Sequence, residues 1–191
     1  MNFHLKSLFF YFMFLFSALV CQFLTSTSLN WWHFGLMPRV SAHLLRIFAF
    51  PLVHASWFAL LTNAIHLGLL CATVSFVAQQ SSTRVLFWGY TFGGVLLWLL
   101  GAARPYFGFD VLIFTMWGYL CSYGYFREQL RANMISLCAV ILWGVLFLGW
   151  VPLSSVVLAP FGREQGLGLL SGVLLSLLTF KWQRGWKRQQ V

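Results

Sequence analysis

Six apolar runs, separated by short polar interruptions, organise this chain. They fall at about residues 7–25, 54–77, 85–102, 109–126, 134–150 and 165–180. Each is long enough to cross, or nearly cross, a hydrocarbon core of about 30 Å as a helix. The pattern predicts an all-α membrane protein with six transmembrane helices in one domain covering residues 1–191. The first run follows Lys6 and leads into LTSTS, so it is read as a retained span, with a cleaved secretory leader as the alternative.

The interruptions carry their own information. Residues 26–46, with Trp31, Trp32, His33, Pro38 and Arg39, are too polar to span and too aromatic for a plain loop. Indole rings satisfy both their apolar faces and their N–H at the membrane boundary, so this stretch is expected to be an interfacial first loop. No charge appears from Ile47 to Val77, which is more chain than one span needs. Its opening residues therefore belong with the loop, and span two is set to begin near His54. Between spans five and six, VPLSSVVLAPFGRE holds two prolines and is read as a partly apolar connection.

Composition agrees with the membrane assignment. Of 191 residues, 60% are hydrophobic and only 8% charged, a balance that no water-soluble globule of this size hides. The net charge of +9 suggests nucleic acid until its placement is considered. The bases crowd the C-terminal tail or stand singly between apolar runs, a topological pattern and not a phosphate-binding surface. With six spans, Lys6, Arg84, Arg127, Arg131, Lys181, Arg184, Lys187 and Arg188 share one side, eight against the four of Arg39, Arg46, Arg104 and Arg163. The positive-inside rule then puts both termini in the cytoplasm, in the inner membrane if the protein is bacterial. The tail KWQRGWKRQQV is read as an interfacial anchor in the lipid bilayer, with a lipid-headgroup or partner site as the alternative. Cys21, Cys71, Cys121 and Cys138 lie inside apolar runs without metal-ligand spacing and are read as small packing residues.

Polar and small residues inside the runs mark where helices meet. Gly168 and Gly172 in span six, and Gly118 and Ser122 in span four, stand at four-residue spacing, predicting close backbone approach of these two helices. Ala59, Asn63 and His66 share one face of span two, where the two polar groups suit interhelical hydrogen bonds. Asp110 is the only aspartate in the chain and opens span four. Two readings stand: it caps that helix, favoured by the positive dipole end, or it meets Gln165 at the start of span six.

An inventory of chemistry excludes much. All five histidines lie at or before position 66, and no HExxH occurs, so neither a zinc protease nor any other metal or cofactor site is expected. Two carboxylates sharing a proton, as aspartyl proteolysis requires, are not found within the runs. No serine of spans four to six has a histidine on its own helix.

At this point the motifs resemble the rhomboid intramembrane protease family over nearly the whole chain. That family carries a first-loop arginine, HxxxxHxxxN on span two, GxSG on span four and HxxGxxxG on span six. Here Arg46 precedes His54 by eight residues, with Leu45 where a tryptophan usually stands. His54 and Asn63 match the ends of the span-two pattern, with Ala59 at its second histidine. GFDV keeps Gly108 but puts Asp110 at the nucleophile and Val111 at the second glycine. Gly118 and Tyr119 follow at matching distance. QGLGLLSG keeps Gly168 and Gly172 but has Gln165 for the catalytic histidine. A carboxylate beside a carboxamide supplies neither hydroxyl nucleophile nor imidazole base, and the Ala59 position lacks an oxyanion donor. The resemblance thus implies a rhomboid-like pseudoprotease that binds or escorts transmembrane client helices, with Asp110 and Gln165 as degenerate dyad positions. Asn63, His54, Ala59 and Arg46 would be residual oxyanion or scaffold positions, and Gly108, Gly118, Gly168 and Gly172 packing positions. The alternatives are an intramembrane serine protease with a displaced site, using His54 or His66, and a small transporter or proton path through Asp110.

Overall fold

The computed structural model describes residues 3–26, 31–77, 82–127, 130–147 and 163–188. Among these it is helical throughout and contains no strand beyond one isolated bridge, Leu36 with Tyr106. The long helices are α1 (Phe3–Ser26), α2 (Trp57–Val77), α3 (Ser82–Leu100), α4 (Asp110–Arg127), α5 (Leu130–Phe147) and α6 (Arg163–Arg188). Three short 3-10 turns, Trp31–Phe34, Ser41–Phe48 and Phe50–Leu52, lie between α1 and α2.

Three helical stretches, Trp57–Val77, Thr83–Leu100 and Glu164–Trp182, are long and apolar enough to cross a membrane, and Phe9–Thr25 and Leu130–Gly144 are shorter apolar helices. Large apolar side chains such as Phe12, Phe16 and Phe23 of α1 and Leu137, Ile141 and Leu142 of α5 face outward, a surface that suits lipid and not water. Among the expected spans, α4 is the interior one. Val111 to Met116, Gly118 to Leu120, Tyr123 and Gly124 are all buried, so its Thr, Tyr and Gly residues answer to protein neighbours and not to lipid.

Specific contacts fix the helix directions. Tyr11 of α1 donates to the Ala64 carbonyl at 2.7 Å, and Gln22 Oε1 accepts from the His54 N–H at 3.2 Å, so α1 runs antiparallel to α2. Helix α2 runs with α4: Asn63 meets Asp110 at one end, and Tyr123 donates to the Val77 carbonyl at 3.1 Å at the other. Helix α5 returns antiparallel to α4, with Trp117 Nε1 donating to the Ala139 carbonyl at 3.0 Å and the Gly124 N–H to Ser136 Oγ at 2.7 Å. The starts of α2 and α4 therefore share one end of the bundle, and α6 starts there too, with Gly168 against Val111 and Gly172 against Tyr119. The main core surrounds α4, joining Phe109, Leu112, Met116, Tyr119 and Leu120 to Leu60, Leu67 and Leu70 of α2 and Leu175 of α6.

Over that end lies the first loop. Leu36, Ile47 and Phe50 pack with Leu97, Tyr106 and Val111 into a second, smaller core. Leu36 and Tyr106 exchange backbone hydrogen bonds at 3.0 Å each, and the Gly108 N–H donates to the Phe50 carbonyl at 3.1 Å. Arg39, with φ of 61°, donates from Nη1 to the Gly101 carbonyl at 2.9 Å, closing the carbonyl end of α3, where a cation also suits the helix dipole.

Span two was expected from His54, yet α2 begins at Trp57. Pro51 sits at the start of the last 3-10 turn, and Ser56 Oγ accepts the Ala59 N–H at 3.1 Å, which is the N-cap bond that starts a helix three residues later than hydropathy suggests. Helix α6 runs to Arg188 where the apolar count stops at 180, because Lys, Gln, Arg and Trp continue a helix even where they would leave the hydrocarbon. The other boundaries move by a few residues. The proline-bearing connection before α6 lies outside the described residues as far as 162, as do Trp150 and the side chains of Lys6, Trp31, Trp32 and everything from 183 onward.

Candidate functional site

The glycines singled out in α4 and α6 sit where those two helices cross. A Cβ on Gly168 would lie 2.7 Å from the Val111 carbonyl oxygen and 2.8 Å from Phe114 Cβ. On Gly172 it would lie 2.5 Å from the Tyr119 nitrogen and closer still to the Thr115 carbonyl oxygen, and on Gly118 it would lie 2.9 Å from Leu169 Cα. Real Cβ atoms do not approach this closely, so the absence of side chains lets the two backbones touch. This contact brings the first turns of α4 and α6 together under the first loop.

A cavity of about 260 Å³ opens there. His54, Ala59, Asn63, Gly108 and Asp110 line it, with Phe50, Tyr106 and Phe107 forming apolar wall. Asn63 Nδ2 donates to Asp110 Oδ1 at 2.9 Å, so the carboxylate turns across to α2 and not back onto the N–H groups of its own helix. Gly108 adopts φ of +80°, a conformation rarely open to other residues, and so bends the chain into α4. A Cβ there would lie 3.3 Å from His54 Nε2 and 3.4 Å from Asn63 Nδ2.

His54 is 2% exposed and meets Phe109 edge-on, ring centroids 4.5 Å apart. Neither ring nitrogen has a partner in hydrogen-bonding geometry. Burial pushes its pKa down to about 4; the Leu52 backbone offsets this only in part, too poorly placed to count as a bond. The imidazole is therefore neutral. Arg46 is held by the loop itself, donating from Nη1 to the His33 carbonyl and, at 3.3 Å, to that of Gly35. It folds the loop and does not reach the cavity lining. His66 Nδ1 lies 2.7 Å from the Thr62 carbonyl oxygen, and its ring faces Trp143 of α5 at 5.9 Å.

Glu164 and Arg104 also line the cavity, and sequence reasoning passed over both. Arg104 had served only as a topological charge, and Glu164 as part of a loop. In the structure they form an ion pair across the cavity mouth, the Arg104 side chain 57% exposed and that of Glu164 only 14%. Glu164 Oε2 is buried without a hydrogen-bond partner. The available signal was its position directly before Gln165, at the start of a helix whose glycines announce a close neighbour. Gln165 itself is half-buried in the same first turn. Among the described residues, no group of three or more His, Cys, Asp or Glu side chains is arranged to hold a metal ion.

No family model matches the chain, and no curated protein matches it.

Proposed function

We propose that the chain is a rhomboid-like pseudoprotease: a single-domain, six-span membrane protein, with both termini cytoplasmic, that binds or escorts transmembrane client helices without cutting them. One observation carries the reading. Asp110 and Asn63, the positions that the motif resemblance assigns to the nucleophile and the oxyanion asparagine, are hydrogen-bonded at 2.9 Å in one cavity under the first loop. Motifs from separate helices are thus in register, while the group at the nucleophile position is a carboxylate engaged by an amide. Ala59, at the second histidine position, presents a methyl group to the same cavity. A carboxylate in this place supplies no hydroxyl for the acyl transfer that the family's serine performs. The polar groups near the start of α6, Gln165 among them, would instead meet polar or helix-breaking residues of an entering segment.

The test is photo-crosslinking from residue 59 in native membranes, followed by isolation in mild detergent. A discrete transmembrane partner should be captured by the intact chain and lost with Asp110→Ala or Gln165→Ala. An absence of any adduct overturns the reading, as does a fluorophosphonate probe that labels a specific serine of the pure protein.

A further inference from the structure

The cavity accepts hydrogen bonds more than it donates them. Glu164 Oε1 takes Arg104, but Oε2 is buried and takes nothing. Neutral His54, in a ring that is 2% exposed, has one accepting nitrogen, and it too is unanswered. Asp110 receives one bond, from Asn63. Each buried acceptor left empty costs about 1–3 kcal/mol, so two in one small space point to a donor supplied from outside the chain. The charges agree. Arg104 and Glu164 offset one another, His54 is neutral, and Asp110 leaves a single negative charge. There is also room, in a cavity of about 260 Å³. Phe50 and Phe107 provide an apolar wall for a short alkyl stem.

We propose that this cavity binds a primary ammonium group, carried by a small free amine or by a lysine side chain. Three N–H donors and one positive charge answer the empty acceptors and the unbalanced carboxylate together. A tetraalkylated ammonium has the charge without the donors, and sodium lacks both the donors and the alkyl stem. The inference concerns the cavity used above but stands without any client.

The full chain in detergent micelles at neutral pH is titrated with n-butylammonium, N-acetyl-lysine methylamide, tetramethylammonium and sodium at matched ionic strength, with binding read by saturation-transfer NMR. Both primary amines should bind saturably and compete for one site, at least tenfold more tightly than tetramethylammonium or sodium. Tighter binding of butylammonium assigns a free amine as ligand, and tighter binding of the lysine compound assigns a protein side chain. Glu164→Gln and Asp110→Asn should each weaken binding at least fivefold. Absence of saturable binding, equal binding of tetramethylammonium, or unchanged affinity in both variants overturns the proposal. The competition arm needs no variant, so it decides even if a substitution prevents folding. No client is present, so failure here leaves the crosslinking test of the proposed function untouched.

Discussion

Gly172→Ala tests the helix crossing on which the cavity depends. The added Cβ would lie 2.5 Å from the Tyr119 nitrogen and 2.9 Å from the Gly118 carbonyl carbon, both backbone atoms that no rotamer change can move. Contacts of this kind are comfortable at about 3.5 Å, so α4 and α6 must part by about 1 Å. A gap of that size forfeits a quarter to a half of each contact's dispersion energy along the seam, and overpacking of this sort costs about 3 kcal/mol at the upper end of its usual range. In a membrane no hydrophobic force between helices makes good the loss. Alanine returns about 1 kcal/mol through its better helix propensity, leaving a net destabilisation of about 2 kcal/mol. Gly144→Ala in α5 is the internal control, because among the described residues its Cβ would meet nothing nearer than a Trp117 ring carbon at 3.9 Å. It should be neutral or up to about 1 kcal/mol stabilising. Reversible unfolding by SDS in mixed micelles, followed by tryptophan fluorescence, measures both. Equal stability of Gly172→Ala and the parent, or equal damage from the two substitutions, refutes the crossing described.

Asn63→Ala strands the Asp110 carboxylate and should cost about 1–3 kcal/mol in the same assay, whereas a double-mutant cycle with Asp110→Asn should show coupling above 0.5 kcal/mol; additive effects would remove the bond from the account. His54 has a folded pKa of about 4 against an ordinary value of 6.5, so the unfolded chain binds the proton more readily. Stability should be level above pH 6.5 and fall by about 3 kcal/mol as pH drops from 6.5 to 4, and His54→Phe should flatten that slope; an unchanged slope would refute the burial argument. Arg39→Ala removes the side-chain bond to the Gly101 carbonyl and the cation at the end of α3. The expected loss is about 1 kcal/mol, and faster hydrogen exchange in the last turn of α3 should accompany it.

The helices were legible because long apolar runs with few charges favour helix, and each α-helix among the described residues corresponds to one apolar run. Their ends were less so. Hydropathy cannot see that Ser56 caps α2, or that charged residues after Phe180 continue α6, because both depend on backbone hydrogen bonding. Within the cavity, Asp110, the only aspartate, stood out at the start of an apolar run and Asn63 inside one. Glu164 and Arg104 did not, since a charge at the edge of a run looks the same in sequence whether it faces water or folds inward over a cavity. That distinction is made by the α4–α6 crossing, which the glycine spacing hints at but whose depth only the backbone geometry supplies.

The Leu36–Tyr106 bridge and the bond from Gly108 to Phe50 stitch the first loop to the linker ahead of α4 at two edges. Leu36 and Phe50 are anchored beneath it in a dry cluster. Loop and linker consequently form one stiff roof plate, and lifting it means breaking three main-chain bonds and wetting that cluster at once.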